Sequence, residues 1–311
     1  MKTAARVSLL TLVLTVILIG IGALVRATGS GLGCPDWPLC HGGAVPPTDL
    51  GHEPVIEFLH RAVAAVVGLL IIATAWLAWR HFRASPVVAW GAVLAVPLVG
   101  LQGLLGAIVV WHELPPELVA THLLLAMLIV SVEAMVTVGM FRELGKGQDP
   151  EPERIGPLGS LSVLALAWLA LTFWIGAYMA ESGASTACSG WPLCNGAPFP
   201  GADDQEVTHM VHRYLAGGFV FVLLPLLVSA WRRRHLVPWA LPVALAAAAV
   251  FVAQVIVGAF NVWYTFPDPL TVSHTFIAAT IWATLSVGAS LATYRRVGVA
   301  ATVLETAEAA R

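Results

Sequence analysis

Long apolar stretches separated by short polar segments dominate the chain. They cover residues 7–27, 56–79, 86–111, 118–140, 158–180, 208–231, 236–262 and 269–293. A helix rises about 1.5 Å per residue, so roughly 20 apolar residues cross the hydrocarbon of a bilayer. The pattern therefore predicts eight transmembrane helices and no soluble core. The first stretch follows Lys2 and Arg6, as a secretory leader would. Its apolar run is too long for a leader, and "ALVRATG" (23–29) is a poor cleavage site, so it is read as a helix.

The pattern also repeats. "LQGLLGAIVVWHELPPELVATH" (101–122) parallels "AQVIVGAFNVWYTFPDPLTVSH" (253–274), matching Gln102 with Gln254, Gly106 with Gly258, Trp111 with Trp263 and His122 with His274. "EFLHR" (57–61) parallels "HMVHR" (209–213) at the same offset of 152 residues. "GCPDWPLCHG" (33–42) returns as "ACSGWPLCNG" (187–196), offset by 154. The expected fold is an all-α membrane protein of eight transmembrane helices, arranged as two tandem four-helix bundles. Four spans per half give both halves one orientation, so a pseudo-two-fold axis along the membrane normal should relate them. The expected organisation is a first half at 1–141, a linker at 142–157, a second half at 158–294 and a tail at 295–311.

Charge supplies the orientation. Thirteen of the sixteen Lys and Arg residues fall at the termini and in alternate connections: Lys2, Arg6, Arg80, Arg83, Arg142, Lys146, Arg154, Arg232, Arg233, Arg234, Arg295, Arg296 and Arg311. The opposite loops hold none, and Arg26, Arg61 and Arg213 lie near helix ends. By the positive-inside rule both termini are cytoplasmic and the cysteine loops face outward from a cell (plasma) membrane. With 58% hydrophobic and 11% charged residues and a net charge of −2, nothing points to nucleic acid. The lipid bilayer is the expected surrounding.

Four of the ten histidines recur as matched pairs, His60 with His212 and His122 with His274, each opening the second or fourth helix of its half. Polar groups within spans are costly and usually functional. A six-coordinate haem iron takes one imidazole from each side, and two helices of a bundle can supply them. The pairs predict one haem between His60 and His122 and another between His212 and His274. Zinc is the competing metal, although two separated pairs form no evident tetrahedral site. Covalent haem attachment needs Cys-x-x-Cys-His, whereas "CPDWPLCH" has five residues between its cysteines. Arg61 and Arg213 are candidates for haem propionates, or for snorkelling to the interface.

The halves differ at one informative place. Glu57 lies three residues before His60, on the same helix face, and its counterpart is His209. An acid in one half only assigns chemistry to the first half and electron storage or structure to the second. The bland alternative is a Glu57 exposed at the membrane surface. Cys34 with Cys40 and Cys188 with Cys194 lie on the outward face, where disulfides form. Matched short spacing predicts one bridge per loop, stapling a lid with Trp37 or Trp191 packed beneath it. A redox role for Cys34 and Cys40 is the sharper reading, and His41 and His52 in the same loop are read as solvated. Gly106 and Gly258 are read as sites of close helix packing.

Taken together, the eight spans, the two halves, "EFLHR", the four histidines and the paired cysteines resemble the haem A synthases, the CtaA family, over roughly residues 7–293. The resemblance implies oxidation of the C8 methyl of haem O to a formyl group, giving haem A for terminal oxidases. It implies substrate haem at His60 and His122, a haem b at His212 and His274, and Glu57 as catalytic candidate. Part of the family lacks the cysteines, which argues against an obligatory redox role. Haem O synthase and the oxidase assembly machinery become expected partners, while the electron partner and any homo-oligomer stay open. The histidine pairs by themselves also allow a quinone-linked di-haem b electron-transfer protein or a haem-handling chaperone.

Overall fold

A computed structural model describes residues 1–46, 49–145 and 156–294. Most of the expected linker, the tail, and Lys146, Arg154, Arg295, Arg296 and Arg311 lie outside the described residues. The helices are α1 (Lys2–Ala27), α2 (Glu53–His81), α3 (Pro86–Trp111), α4 (Pro116–Leu144), α5 (Leu158–Glu181), α6 (Asp204–Gly218), α7 (Val220–Arg232), α8 (Ala240–Trp263) and α9 (Asp268–Thr293). Counting α6 and α7 as one span, eight are long and apolar enough to cross a membrane. Single 3₁₀ turns at Ser30–Leu32 and Ala184–Thr186 open the two cysteine loops.

Helices overrun the apolar stretches where their ends are polar. α2 begins at Glu53 with Pro54 in its first turn, and α6 begins after Asp203, whose carboxylate accepts the Gln205 amide at 2.8 Å. Such N-terminal residues carry the capping preference that hydropathy does not see. α4 continues to Leu144, so the expected linker starts inside a helix. α8 starts only at Ala240, because Pro238 disfavours helical backbone before it. The sixth span is interrupted at Phe219, between the Gly217–Gly218 pair and Pro225. Flexible glycines and a missing N–H weaken the ladder there. The corresponding stretch of α2 carries Ala65, Val66 and Ala73 and stays continuous.

Neighbour relations close each half into a ring. α1 packs on α2, α2 on α3, α3 on α4 and α4 back on α1; α5 packs on α6 and α7, α7 on α8, α8 on α9 and α9 back on α5. Between the halves, α4 meets α9, α1 meets α9 and α4 meets α5. Exchanging the halves maps this set onto itself, as a two-fold relation would. α4 and α9 are the most enclosed spans. Their seam is packed by Met127, Val130, Trp282 and Leu285, all buried. It is also hydrogen-bonded: Trp282 Nε1 donates to Ser131 Oγ at 2.8 Å, and the Ser131 and Ser286 hydroxyls lie 2.9 Å apart. Apolar side chains such as Trp76, Leu69 and Phe221 face outward, as in a surface solvated by lipid.

Candidate functional site

All four recurrent histidines are half-buried and sit toward the end of the bundle that carries the cysteine loops, His60 on α2, His122 on α4, His212 on α6 and His274 on α9. Each ring rests against a glycine of a neighbouring helix. A Cβ placed on Gly22 would lie 3.2 Å from His60 Cε1; on Gly106, 3.2 Å from His122; on Gly176, 2.7 Å from His212; on Gly258, 3.0 Å from His274. These glycines therefore make room for an imidazole on the adjacent helix. His60 and His122 lie close enough for their charges to interact, as do His212 and His274. The structure thus brings together each pair that the repeat predicts.

Two glutamines complete the frame. Gln102 Nε2 lies 3.1 Å from His122 Nε2, and Gln254 Nε2 lies 3.1 Å from His274 Nε2. With the amide donating, each Nε2 is the acceptor and the ring proton sits on Nδ1, the tautomer that can ligate iron through Nε2 when the amide is displaced. The Nδ1 atoms of His60, His122 and His274 are buried without a hydrogen-bond partner, and so are both glutamine Oε1 atoms. His212 Nδ1 instead lies 3.1 Å from the Thr172 carbonyl, an arrangement that fixes the tautomer with a free Nε2. Orphaned polar atoms around four lone-pair donors fit a polar, metal-bearing ligand in each half better than a closed core.

Glu57 is buried, with 3% of its surface exposed, so the surface alternative fails. Its Oε2 accepts the Cys34 amide at 2.8 Å, and its Oε1 pairs with Arg61 Nη2 at 2.5 Å. The same guanidinium donates to the Cys34 and Leu39 carbonyls at 2.6 and 2.9 Å. Acid and arginine together clamp the backbone N–H and C=O of one residue of the cysteine loop, Cys34. In the second half Arg213 donates to the Gly190, Pro192 and Leu193 carbonyls. Its Nε and Nη2 stay buried and unpartnered. His209, also buried, directs Nδ1 to the Ala184 carbonyl at 3.1 Å.

The loops above these sites are built alike. The structure joins Cys34 to Cys40 and Cys188 to Cys194, with Cα atoms 4.5 and 4.6 Å apart. Trp37 meets Trp111 edge to face at 6.0 Å, and Trp191 meets Trp263 at the same separation, tying each loop to the end of α3 or α8. His41 and Asn195 occupy the same left-handed turn position, at φ 53° and 52°. The turns are pinned differently. Asp36 accepts the amides of His41 at 2.6 Å and Gly42 at 2.5 Å, the Gly42 bond being foremost in holding its carboxyl below the usual aspartate value of 3.8. Asn195 does the corresponding work through the Ser189 amide and the Ala187 carbonyl. His41 and His52 are exposed, as expected.

Sequence reading matched Gln102 with Gln254 but gave them no role, and took Gly106 and Gly258 only as packing glycines. Gly22 and Gly176 went unnoticed, although "IGA" at 21–23 and 175–177 repeats at the offset of the cysteines. Glu133, a carboxylate in the middle of α4, also went unnoticed despite being the kind of intramembrane acid that marks function.

Comparison with known proteins adds a family. The model for cytochrome oxidase assembly proteins, COX15-CtaA, matches residues 5–286. The chain is similar to the haem A synthase of Symbiobacterium thermophilum, 33% identical over 308 residues that cover 92% of this chain and 94% of the relative. The haem A synthase of Alkalihalophilus pseudofirmus is 33% identical over 235 residues, 73% of this chain and 77% of the relative. That of Listeria monocytogenes is 28% identical over 287 residues, 89% and 92% of the two chains.

Proposed function

The chain belongs to the COX15-CtaA family of cytochrome oxidase assembly proteins, and on that footing we propose that it is a haem A synthase, a multi-pass membrane oxidoreductase that turns the C8 methyl of haem O into a formyl group. Haem A so made goes to terminal oxidases. The observation that carries this reading is the duplicated imidazole pair, each ring seated on a glycine, in a chain whose relatives bear the name of that activity.

We assign the substrate haem to His60 and His122 and a resident haem b to His212 and His274. Bound haem iron supplies redox chemistry that protein side chains lack. The chain's own residues bind, orient and move protons. Gln102 and Gln254 hold the His122 and His274 rings by their Nε2 atoms, and their amides would turn aside for those nitrogens to ligate iron. Arg213 has two buried donors left over for a haem carboxylate, whose planar geometry matches a guanidinium. Arg61 is committed to Glu57 and to loop carbonyls, so its propionate role would be shared with holding the lid. The ion pair with Arg61 favours the carboxylate form of Glu57, the form that would accept a proton from the methyl or from attacking water. The second half has His209 in place of that acid, its Nδ1 held by the Ala184 carbonyl. The disulfides act as staples for lids over the two sites. The Lys and Arg distribution supports cytoplasmic termini and outward loops, and the exchangeable helix contacts support a two-fold axis along the membrane normal. A haem O synthase is the source of substrate, and oxidase assembly receives the product.

The test is co-expression with a haem O synthase, purification, and identification of the extracted pigments by mass spectrometry. Haem A with haem b is the expected result. Haem b alone in the presence of ample haem O would replace this reading with a di-haem electron carrier.

A further inference from the structure

The first bundle contains a polar column that the proposed chemistry does not use. Glu133 on α4 is 5% exposed. Its Oε1 accepts the Thr15 hydroxyl at 3.1 Å, and its Oε2 is buried without a partner. Beside it lies a cavity of ≈ 10 Å³, room for about one water, walled by the hydroxyls of Ser8, Thr11 and Thr74 together with Ile71, Ala92 and Ala95. The hydroxyls continue away from the histidines: Thr11 and Thr74 lie 3.1 Å apart, and Ser8 and Thr137 lie 2.7 Å apart. The cavity wall holds no titratable group besides Glu133. No cation is ion-paired with Glu133 among the described residues.

The second half has no such column. The positions matching Thr11, Thr15, Thr74, Glu133 and Thr137 are Ala165, Leu169, Leu226, Leu285 and Ala289, and Ser8 alone keeps a hydroxyl counterpart, Ser162. All of these are buried in the second bundle. One bundle is therefore almost wholly apolar at these positions, whereas the other keeps an acid, hydroxyls and a water-sized space. A lone carboxylate with one hydroxyl donor in a bundle core is far costlier charged than neutral, and such groups mark proton pathways.

We infer that Glu133 is an intramembrane proton site of the first half, loaded from the end that carries the N-terminus through the Thr11–Thr74 and Ser8–Thr137 hydroxyls, and that it balances charge at the His60–His122 site. The barriers on its two sides set the direction. Toward the N-terminal end, Ala4, Ala5, Ala75 and Ala78 close the column together with Phe82, Val88 and Met140, and Ser8 lies six residues, about 9 Å of helix rise, from Lys2. Toward the histidines, Leu18, Val67, Leu125 and Ile129 intervene, and Glu133 lies eleven residues, about 16 Å, from His122. The column is thus open to proton exchange on the thinner side and coupled to the site by field rather than by contact. In a bundle without bulk water that field is weakly screened. Loss of one electron from an iron held by His60 and His122 to an external oxidant then favours loss of one proton from Glu133 to the N-terminal end. Charge inside the bundle is unchanged by the pair of transfers.

The link to iron rests on the haem assignment above; the proton site does not, and two readouts separate them. Infrared spectra at neutral pH should show a carboxylic-acid carbonyl band that shifts in D₂O and is missing from Glu133→Gln. Thr11→Val and Thr74→Val, which preserve shape, should slow its deuterium exchange at least tenfold. Absence of that band, its removal by sodium ions, or unchanged exchange in both valine variants would overturn the proton site. In protein carrying haem in the first half, titrated with ferricyanide and dithionite, the midpoint potential should fall as pH rises in the wild type and stay level in Glu133→Gln. Equal slopes in the two proteins would overturn the coupling alone. Failure of the first half to bind haem would refute the haem assignment and leave the infrared result standing.

Discussion

The two halves carry the same frame and different acids. Each holds two imidazoles against two glycines, a glutamine on the third helix, an arginine under the lid and a stapled Trp-Pro-Leu loop. Where the first half clamps its lid with Glu57 and Arg61, the second places His209 and leaves two Arg213 nitrogens free. Deeper in the bundle, Glu133 faces a water-sized space, and Leu285 fills the matching place. The difference teaches that what duplication kept is the pair of imidazoles on glycine seats, while Glu57 and Glu133 stand in one copy only. A holder alone suits a resident cofactor; a holder with acids suits a substrate that is changed.

The sharpest way to break the comparison is to remove one ligand from each half. His60→Ala should abolish haem A formation while leaving haem b bound, and His212→Ala should strip haem b, both read from the extracted pigments. Loss of both pigments from either variant would mean that the halves do not bind independently. Next come the glycine seats. Overpacking a site costs about 1–3 kcal/mol, or about 5- to 150-fold in binding. Gly176→Ala, whose new Cβ would stand 2.7 Å from the His212 ring, should lower haem b retention most, followed by Gly258→Ala at 3.0 Å. Gly22→Ala and Gly106→Ala at 3.2 Å should act more weakly and on the first half only. Retention measured against a competing apo-haemoprotein ranks them, and a different order would remove the glycines from the account.

Replacing a cysteine pair with alanine should cost about 2 kcal/mol of stability in either loop by the chain-entropy model. Only the Cys34/Cys40 variant should also slow turnover, because its loop is held by Glu57; thermal melts and haem A yield read the two effects. The smallest difference concerns acid. The lowered carboxyl of Asp36 stabilises the first loop above the ordinary value of 3.8, and that contribution disappears as pH falls through the lower folded value. The second loop is pinned by the uncharged Asn195, which in turn donates to the Glu206 carboxylate at 2.8 Å, so amide exchange in acid should rise more at residues 36–42 than at 190–196.

The spans, the duplication and the four recurrent histidines are legible because hydropathy and self-similarity act at the scale of whole helices. Helix ends were less legible, since Glu53, Asp203 and the Pro pairs are polar or neutral to that measure. The glycine seats were hidden for another reason. Gly22 meets His60 through contact between two helices, and a single chain does not show which faces meet. Glu57 was found because it breaks the repeat, yet its partner Cys34, 23 residues earlier, is a backbone amide and leaves no trace in residue types. Glu133 breaks the repeat as plainly, opposite Leu285, and a systematic comparison of the halves would have exposed it. The interruption at Phe219 needed the same comparison, with Gly217, Gly218 and Pro225 set against their α2 counterparts.

The central claim is that methyl oxidation belongs to the first half and depends on Glu57. The direct measurement is the pigment content of Glu57→Gln beside His209→Gln, each co-expressed with a haem O synthase. A positioned proton acceptor contributes about 10²–10⁴-fold. Glu57→Gln should therefore retain haem O and haem b with haem A reduced at least about 100-fold, while His209→Gln keeps making haem A. Undiminished haem A from Glu57→Gln would contradict the account.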